Sequence, residues 1–479
     1  MNQKIAVSVV YVAALFINIM DVTIVNVALP SLGRDLHVQP TAVSAVSIGY
    51  LVSLAVVIPA SGWLGDRFGS RRILLTAIVV FTVASALCGL AQTFAQLVIF
   101  RVLQGVGGGM LTPVGMAMLF RAFPPIERVR AASILIIPTA LAPALGPVLG
   151  GILVSQLSWR WAFFVNLPIG TAALVFGLLF LREQQNDPPG AFDLSGFLLS
   201  GFGFGALMYG ISEGPQTGWT DAEVLATVVA GVALLTALLI QQLRSSRPLL
   251  GLRLFRDRLF RSVNAVMFLT TAGFLGTLYL VALFFQDGLG LSALQSGLST
   301  FPEALGVLAG SQMASRLLYP LIGPRRLIAI GLVGIATTVG LMALIDSQAE
   351  LWWMRLLMFA LGYCMSHVFV PAQAGAFARI PHRDTASAST LFNAIRQLGG
   401  AVGVAVLTTA LTAVGVTRQH GGEIVPHLAA YHVTFLVAAG LALFGALCAL
   451  TIHDDDAAST RTARPRLRRP SQREPIAVD

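Results

Sequence analysis

The charged side chains of Asp21, Arg101 and Glu303 lie inside long apolar stretches of this sequence. A charge in the hydrocarbon core of a bilayer is costly, so such residues usually belong to an ion or substrate pathway. Asp21 lies in the run at 5–29, and Arg101 lies at a similar depth in the run at 94–119. Because a buried Arg needs a partner, we expect these two to pair and Asp21 to exchange a proton. Structural roles remain alternatives, with the acid held by a hydroxyl and the Arg by backbone carbonyls.

Glu303 follows Pro302 at a depth close to that of Asp21. It has no evident cationic partner in its part of the chain, because Arg316 lies nearly four turns deeper. We therefore expect Glu303 to handle a proton or a cationic substrate; an acid in a small wet pocket is the alternative. For His367, a hydrogen bond to a backbone carbonyl is the favoured interpretation. The expected substrate cavity comprises Asp21, Asn26, Gln104, Glu303, His367, Asn393 and Arg396.

The composition identifies the class of protein that positions these residues. Of 479 residues, 56% are hydrophobic and 11% are charged, whereas soluble domains carry about 25% charged residues. The chain is therefore predicted to be an all-α integral membrane protein with fourteen transmembrane helices. The apolar runs lie near 5–29, 42–61, 73–91, 94–119, 131–155, 161–181, 194–213, 222–243, 262–286, 294–318, 327–346, 351–377, 387–415 and 428–452.

The basic residues predict the orientation of these helices. If the N-terminus is cytoplasmic, the inner loops and tails hold 25 of the 31 Lys and Arg residues, as the positive-inside rule requires. Both termini are therefore expected in the cytoplasm. The net charge of +9 lies in short loops and the tail, which favours membrane lipids over nucleic acid as partners. The three Cys residues fall in apolar runs without metal-ligand spacing, and we expect no metal or cofactor.

An internal repeat divides the chain. Gly69 begins the segment GSRR, and Gly323 begins the related segment GPRR, 254 residues later. Two parallel six-helix halves separated by two inserted helices account for this offset. The linker is rich in Arg alternating with Leu and Phe, and we expect a helix on the anionic leaflet there. The predicted parts are an N-terminal half at 1–187, an inserted hairpin at 188–243, an amphipathic linker at 244–261, a C-terminal half at 262–453 and a disordered cytoplasmic tail at 454–479.

The loop after the second run reads GWLGDRFGSRRILL at residues 62–75. It resembles the signature GxLaDrxGrkxxl of the major facilitator superfamily. The resemblance implies that Asp66 charge-pairs at a neighbouring helix and that the arginines help to close a cytoplasmic gate. In the second copy Pro320 replaces the acid, so we expect a weaker gate there. The implied gate residues are Gly62, Asp66, Arg67, Gly69, Arg71 and Arg72.

Further segments narrow the resemblance to one branch of the superfamily. The run at 101–109, RVLQGVGGG, is similar to the motif RxxxGxg, whose Arg takes part in proton handling. The segment 142–151, APALGPVLGG, resembles the antiporter motif gxxxGPxxGG, with Ala142 in place of its first glycine; the matching residues are Gly146, Pro147, Gly150 and Gly151. The segments 21–30, 159–170 and 392–400 are similar to fourteen-span drug:proton antiporters.

Together these features predict a major facilitator fold and a proton-coupled exporter of small organic molecules, of the multidrug or antibiotic efflux type. A dedicated metabolite exporter and a proton-coupled uptake carrier are the alternatives. The sequence contains no HExxH, GxSxG or Walker A motif, so we do not expect an enzyme or an ATP-driven pump. The implied substrate is amphipathic and often cationic, and the implied setting is a monomer in the bacterial cytoplasmic (inner) membrane.

The orientation is directly testable. We expect reporter fusions after residues 188, 250 and 455 to be cytoplasmic, and fusions after 217 and 421 to be periplasmic, because of the distribution of basic residues. Paired alkaline phosphatase and green fluorescent protein fusions measure this. A cytoplasmic signal at 217 would contradict the inserted hairpin and leave twelve spans.

Overall fold

The computed structural model describes residues 2–38, 40–183, 190–245, 248–420 and 423–460. Its long helices, numbered in chain order, are α1 (Gln3–Asp35), α2 (Ala45–Phe68), α3 (Ser70–Leu90), α4 (Phe94–Ala122), α5 (Arg128–Gln156), α6 (Asn166–Phe180), α7 (Leu194–Thr217), α8 (Ala222–Arg244), α9 (Arg258–Leu283), α10 (Ala293–Met313), α11 (Tyr319–Met342), α12 (Leu351–Ala376), α13 (Thr385–Val414) and α14 (Leu428–Ala449).

These helices confirm the fourteen predicted spans. Thirteen continuous helical segments of the described chain are long and apolar enough to cross a membrane, and one of them, Leu294–Met342, is 49 residues long. A 49-residue helix is about 74 Å long at 1.5 Å per residue, far more than the ~30 Å hydrocarbon core. Gly323, with φ of 77°, breaks the helical backbone within the first turns of α11, so the segment holds two spans that meet at this glycine. The only described strands, Thr417–His420 and Glu423–Pro426, form an antiparallel hairpin between α13 and α14.

Helix starts are marked by short polar side chains that satisfy free backbone N–H groups, as expected for caps. In α1 the Asn2 side chain accepts a hydrogen bond from the backbone N–H of Lys4, at 3.0 Å. At α10 Ser292 and Gln295 form a reciprocal capping box. The same kind of cap is provided at α4, α7, α8 and α9 by Thr93, Asp193, Asp221 and Asp257.

Both ends of the described chain lie at one end of the bundle, which we call the terminal end. Lys4 Nζ lies 2.6 Å from a carboxylate oxygen of Glu127, and the turn Pro125–Glu127 packs against the short 3-10 helix Asp454–Thr460. The remaining loops alternate between this end and the opposite end. An even number of spans requires this arrangement.

Each half repeats the same helix packing. The contacts of α1 with α5, α2 with α4, and α3 with α4 and α6 recur as α9 with α13, α10 with α12, and α11 with α12 and α14. Each helix is thus replaced by the helix eight positions later, which matches the predicted repeat around a two-helix insertion. The halves meet along two seams, α5 against α10 and α12, and α2 and α4 against α13. Helix α7 packs on both α2 and α13, whereas α8 packs mainly on α7.

The backbone conformation of Gly69, the first glycine of the repeat, explains why this position is a glycine. Gly69 has φ of 95°, a conformation that side-chain-bearing residues rarely adopt. It lets the chain turn directly from α2 into α3. The Glu183 carboxylate beyond α6 then accepts a hydrogen bond from the backbone N–H of Arg71, at 3.0 Å. An acid at a helix N-terminus is favoured by the helix dipole, so Glu183 fixes the end of α6 to the start of α3.

The second half contains the same kind of capped turn, and the acid that makes the cap lies in the segment predicted to be a disordered tail. Here the turn is made by Gly323, and the Asp454 carboxylate accepts a hydrogen bond from the backbone N–H of Arg325, at 2.9 Å. The prediction of disorder from residue 454 is therefore wrong for 454–460, because this acid has a specific capping role. Residues 461–479 lie outside the described part of the chain.

Asp456 holds the same short helix to the C-terminal half. Its carboxylate accepts hydrogen bonds from Arg258 and Arg379, with the Arg379 contact at 3.0 Å. The hydrogen bond from Arg258 holds the pKa of the Asp456 carboxyl below its usual range.

The linker also differs from expectation. Instead of a surface helix across 244–261, its described residues contain one short 3-10 helix, Leu252–Arg256, and α9 begins already at Arg258. The alternation of Arg with apolar residues has a period near two, which does not place the apolar residues on one face of an α-helix.

Candidate functional site

Asp21 lies in the interior of the N-terminal half, fully enclosed by protein. Its carboxylate accepts three hydrogen bonds from side chains on two other helices. On α4, Arg101 Nη1 lies 2.5 Å from Oδ2 and Gln104 Nε2 lies 2.8 Å from Oδ1. On α6, Asn166 Nδ2 lies 2.9 Å from Oδ1. The expected pairing of Asp21 with Arg101 is therefore present, and Gln104 and Asn166 complete the shell.

Arg101 is held as firmly as the acid. Its guanidinium donates to the Val46 carbonyl through Nε, at 3.2 Å, and to Gln104 Oε1 through Nη1, at 2.8 Å. It also stacks on the Tyr50 ring, 4.2 Å from the centroid, and lies 5.8 Å from that of Phe163. These contacts satisfy a buried cation from several sides.

Glycines on α4 allow the helices to approach closely enough for this network. A Cβ on Gly105 would lie 1.9 Å from Ser53 Oγ and 2.4 Å from the Tyr50 carbonyl oxygen. A Cβ on Gly107 would lie 2.7 Å from the Phe81 backbone nitrogen. Larger residues would push α2 and α3 away from α4. The glycine-rich segment after Arg101 is thus a packing requirement of the ion pair.

The antiporter segment packs against α1 close to Asp21. A Cβ on Gly146 would lie 2.0 Å from Thr23 Oγ1, and one on Gly150 would lie 3.3 Å from Val27 Cβ. By contrast, a Cβ on Gly151 would have no neighbour within 4 Å. Two of the motif glycines therefore let α5 approach α1. The side chain of Pro147 lies outside the described part of the structure.

Glu303 lies apart from this network, on α10 of the other half. Its side chain is 2% exposed, and Oε1 is a buried atom without a hydrogen-bond partner in the described structure. Glycines again permit very close packing here: a Cβ on Gly362 of α12 would lie 2.0 Å from the Glu303 carbonyl oxygen. The second buried acid is thus present without the cationic partner that Asp21 has.

The other predicted cavity residues are dispersed. His367 Nδ1 lies 2.7 Å from the Tyr363 carbonyl oxygen, which agrees with the favoured structural interpretation. Asn393 donates to the Ser389 carbonyl, at 2.9 Å. Arg396 is half-buried on the same helix and forms no ion pair with a described residue. These side chains belong to α12 and α13, and none of the donors to Asp21 comes from them.

The remaining three members of the expected cavity do not line an open cavity. Asn26 accepts a hydrogen bond from Ser47 at an exposed site towards the opposite end of the bundle. Asp21 and Gln104 are buried within their own half. Neither therefore lines an open cavity in this conformation, because every side-chain donor to Asp21 comes from the N-terminal half.

The gate segment lies at the terminal end. Asp66 Oδ1 accepts a hydrogen bond from Arg121 Nη2 at the end of α4, at 2.8 Å. Gly62 packs on α13, where its Cβ would lie 2.6 Å from Thr390 Oγ1. Gly69 makes the turn described above. Arg71 does not cross between the halves in the described structure, because its guanidinium donates to the Leu178 carbonyl of α6.

Different arginines cross between the halves. Arg121 Nε lies 3.4 Å from the His382 carbonyl oxygen, and Arg128 donates to the Phe377 carbonyl at the end of α12. The rings of Phe120 and Phe377 stack with centroids 4.2 Å apart. Arg67 and Arg72, which the sequence assigned to the gate, are exposed.

The sequence did not reveal all of these roles. Asn166 occurs in a recognised segment, but only the fold brings α6 against α1. Arg121 and Arg128 resemble ordinary residues of a positive inner loop, and Glu183 resembles an ordinary loop acid. No local pattern distinguishes them, because their partners lie on other helices.

The sequence of this chain is similar to those of known proteins over most of its length. A sequence profile described as Major Facilitator Superfamily matches residues 11–404. The "Multidrug resistance protein B homolog" of Mycobacterium tuberculosis H37Rv is 34% identical over 404 residues, covering 82% of this chain and 73% of that protein. The "Putative multidrug resistance protein MdtD" of Escherichia coli O45:K1 (strain S88) is 34% identical over 397 residues, covering 82% and 83%.

Solved structures confirm the predicted fold. The human organic anion transporter MFSD10 (TETRAN) superposes with a TM-score of 0.67 at 17% identity, covering 94% of this chain and 100% of that one. The proton:xylose symporter XylE, bound to 6-bromo-6-deoxy-D-glucose, gives 0.63 at 15% identity, covering 93% and 95%. At such identities the match concerns the fold alone.

Asn166 generates a stability prediction. Asn166→Ala removes one of three donors to a buried carboxylate, which should lower the free energy of unfolding by about 1–3 kcal/mol. Thermal unfolding of the detergent-purified protein measures this. The matched control is Asn264→Ala, because that buried amide donates only to the Phe260 carbonyl of its own helix. Equal losses in both variants would contradict a special role for Asn166.

The terminal-end contacts generate a second prediction. Asp66→Asn weakens the ion pair that holds Arg121, and we expect transport to fall about tenfold while binding of substrate changes little, since the change biases the conformational equilibrium. Initial transport rates in vesicles, at matched abundance, measure this. Asp346→Asn is the control, because that carboxylate is exposed at the opposite end. Normal transport by Asp66→Asn would contradict the gate assignment.

Proposed function

We propose that this chain, which belongs to the major facilitator superfamily, is a proton-coupled exporter of small organic molecules that works by alternating access. The observation that carries the proposal is the buried contact between Asp21 and Arg101, 2.5 Å from Nη1 to Oδ2. A membrane protein gains little stability from such a pair, because both charges must be desolvated. A role in ion coupling accounts for it better than a role in packing.

Proton binding would act through the partner of the acid. When a proton neutralises Asp21, Arg101 loses its counter-charge but keeps its bonds to Val46 and Gln104. The guanidinium can then form a new contact, which alters the packing of α1 against α4. A proton that enters down a potential of ~100 mV supplies about 2.3 kcal/mol. This energy can bias one conformation over another.

The contacts at the terminal end support a two-state gate. The positive-inside rule makes that end cytoplasmic, so the described conformation is closed on the cytoplasmic side. The crossing contacts of Arg121 and Arg128 are hydrogen bonds to carbonyl oxygens. Such bonds can be exchanged for water at modest net cost. Rocking of the halves would break them and open the cavity to the cytoplasm.

The relatives and Glu303 support a proposed substrate class. Relatives about one-third identical carry multidrug-resistance names, which favours an amphipathic organic substrate. Glu303 has a buried carboxylate oxygen without a partner, and a cation is the group that such a carboxylate binds best. We propose that a monomer in the bacterial cytoplasmic membrane exports these molecules, with the proton as coupling ion and no cofactor.

Substitutions of the two acids should have different effects on transport. We expect Asp21→Asn to abolish proton-driven export of every substrate, because the coupling group is lost. Glu303→Gln should impair export of ethidium, a cation, and spare neutral chloramphenicol. Proton and substrate fluxes in inside-out vesicles measure this.

The control is Asp287→Asn, which removes an exposed acid near the opposite end. Equal loss of both substrates in Glu303→Gln would make Glu303 part of the proton pathway instead. Undiminished proton-driven export by Asp21→Asn would overturn the proposed function.

A further inference from the structure

Asn166 Oδ1 is a buried atom near the ion pair without a hydrogen-bond partner among the described residues, and two further such atoms lie close to one another. They are Asn18 Nδ2 on α1 and Tyr50 Oη on α2. The side chains are 8% and 0% exposed. Buried polar groups are nearly always paired, with protein or with ordered water. Two unpaired groups this close to a titratable site require an explanation.

Gly108 on α4 shows that these two atoms converge. A Cβ on this glycine would lie 2.7 Å from Asn18 Nδ2 and 2.8 Å from Tyr50 Oη. Since both distances start from one point, the two atoms are at most 5.5 Å apart. A water that makes two hydrogen bonds of ~2.7–3.2 Å can bridge such a gap. Its partners would be an amide donor and a hydroxyl that both donates and accepts.

The convergence point lies next to Asp21, on its terminal side. Helix α1 starts at the terminal end, so Asn18 lies about 4.5 Å closer to that end than Asp21. Residues three apart share one helix face. The Tyr50 ring stacks on the Arg101 guanidinium, which places the phenol alongside the ion pair. Gly108, where both atoms converge, is seven residues nearer the terminal end of α4 than Arg101, so the unpaired atoms lie on the terminal side of the ion pair.

The carboxylate retains one free position for a proton donor or acceptor. Oδ1 of Asp21 accepts hydrogen bonds from Gln104 and Asn166, whereas Oδ2 accepts one from Arg101. Each carboxylate oxygen can accept about two hydrogen bonds. Oδ1 is thus saturated and Oδ2 has one remaining site.

We infer that Asn18 and Tyr50 hold a water molecule that relays the proton between Asp21 and the terminal end of the bundle. This inference rests on the proposed function and adds the route that the proton takes. In the release step the O–H bond of the protonated Asp21 breaks and an O–H bond forms on the water. The resulting hydronium passes a proton to cytoplasmic solvent, and the carboxylate pairs again with Arg101. Asn18 and Tyr50 are positioning residues, and neither changes its net protonation.

The test uses Tyr50→Phe, which removes the hydroxyl and keeps the ring on Arg101. We expect proton-driven ethidium transport in inside-out vesicles to slow by about tenfold or more, within the range for loss of a positioned proton-transfer group. The solvent deuterium isotope effect on transport should increase, because proton transfer becomes rate-limiting. Ethidium affinity should not change. Asn18→Leu, which removes the amide at similar volume, should behave in the same way.

The matched control is Tyr11→Phe. Its buried hydroxyl lies between α1 and α4 and already donates to the Thr112 carbonyl, at 3.0 Å. We expect this variant to lose some thermal stability and to keep the wild-type isotope effect. A merely structural role for Tyr50 would give the same pattern as Tyr11, which would overturn the inference.

Failure of the relay can be distinguished from failure of the proposed function. If wild-type transport moves no protons, the proposed function fails. If wild-type transport is proton-coupled while Tyr50→Phe and Asn18→Leu keep its rate and isotope effect, only the relay fails. An experimental structure at about 2 Å resolution provides an independent readout. Density for a water bonded to both atoms supports the relay, and a dry contact between the two side chains overturns it.

Discussion

The ion pair between Asp21 and Arg101 is the constraint around which the N-terminal half is built. Both charges are removed from water, and either one without the other would be an uncompensated buried charge, which is strongly destabilising. Holding them together requires donors from α4 and α6, a carbonyl from α2 and the aromatic rings of Tyr50 and Phe163 beside the guanidinium. Four helices thus converge on one ion pair. A change in its protonation acts directly on the packing of these helices.

Close helix approach makes this convergence possible, and it is achieved with glycine. Membrane helices gain no hydrophobic driving force from each other, so dispersion contacts and polar bonds must hold them. The same solution occurs in the second half, where Gly362 lies against the backbone of Glu303. The two halves therefore share a packing plan but differ in chemistry. One holds a compensated acid, and the other holds an acid with an unpartnered oxygen. This asymmetry is what a coupled carrier needs if ion and substrate bind at different acids.

The repeat also explains how the terminal end combines firm and breakable contacts. Within each half, an acid beyond the last helix caps the helix that follows a left-handed glycine. These capped turns keep each half rigid. Between the halves, arginines donate to carbonyl groups, including that of Phe377 where α12 ends. A cation at a helix C-terminus is favoured by the dipole, but its loss can be offset by water. Rigid halves with an exchangeable seam favour rocking over local unfolding.

The sequence by itself determined the membrane class, the fourteen spans and the repeat. It also showed the resemblance to the superfamily and its multidrug branch, and the family match and the relatives confirm this resemblance. These features can be recognised from local hydropathy and residue spacing, and neither depends on how the helices are arranged. It also predicted the pairing of Asp21 with Arg101, because depth along a span can be counted. Only the tertiary structure decided that Asn166 completes the site, that Arg121 and Arg128 join the halves, and that Asp454 caps α11 instead of starting a disordered tail. Each of these depends on which helix faces occur side by side. An apolar span carries little information about its own rotation, because lipid and protein both accept apolar side chains.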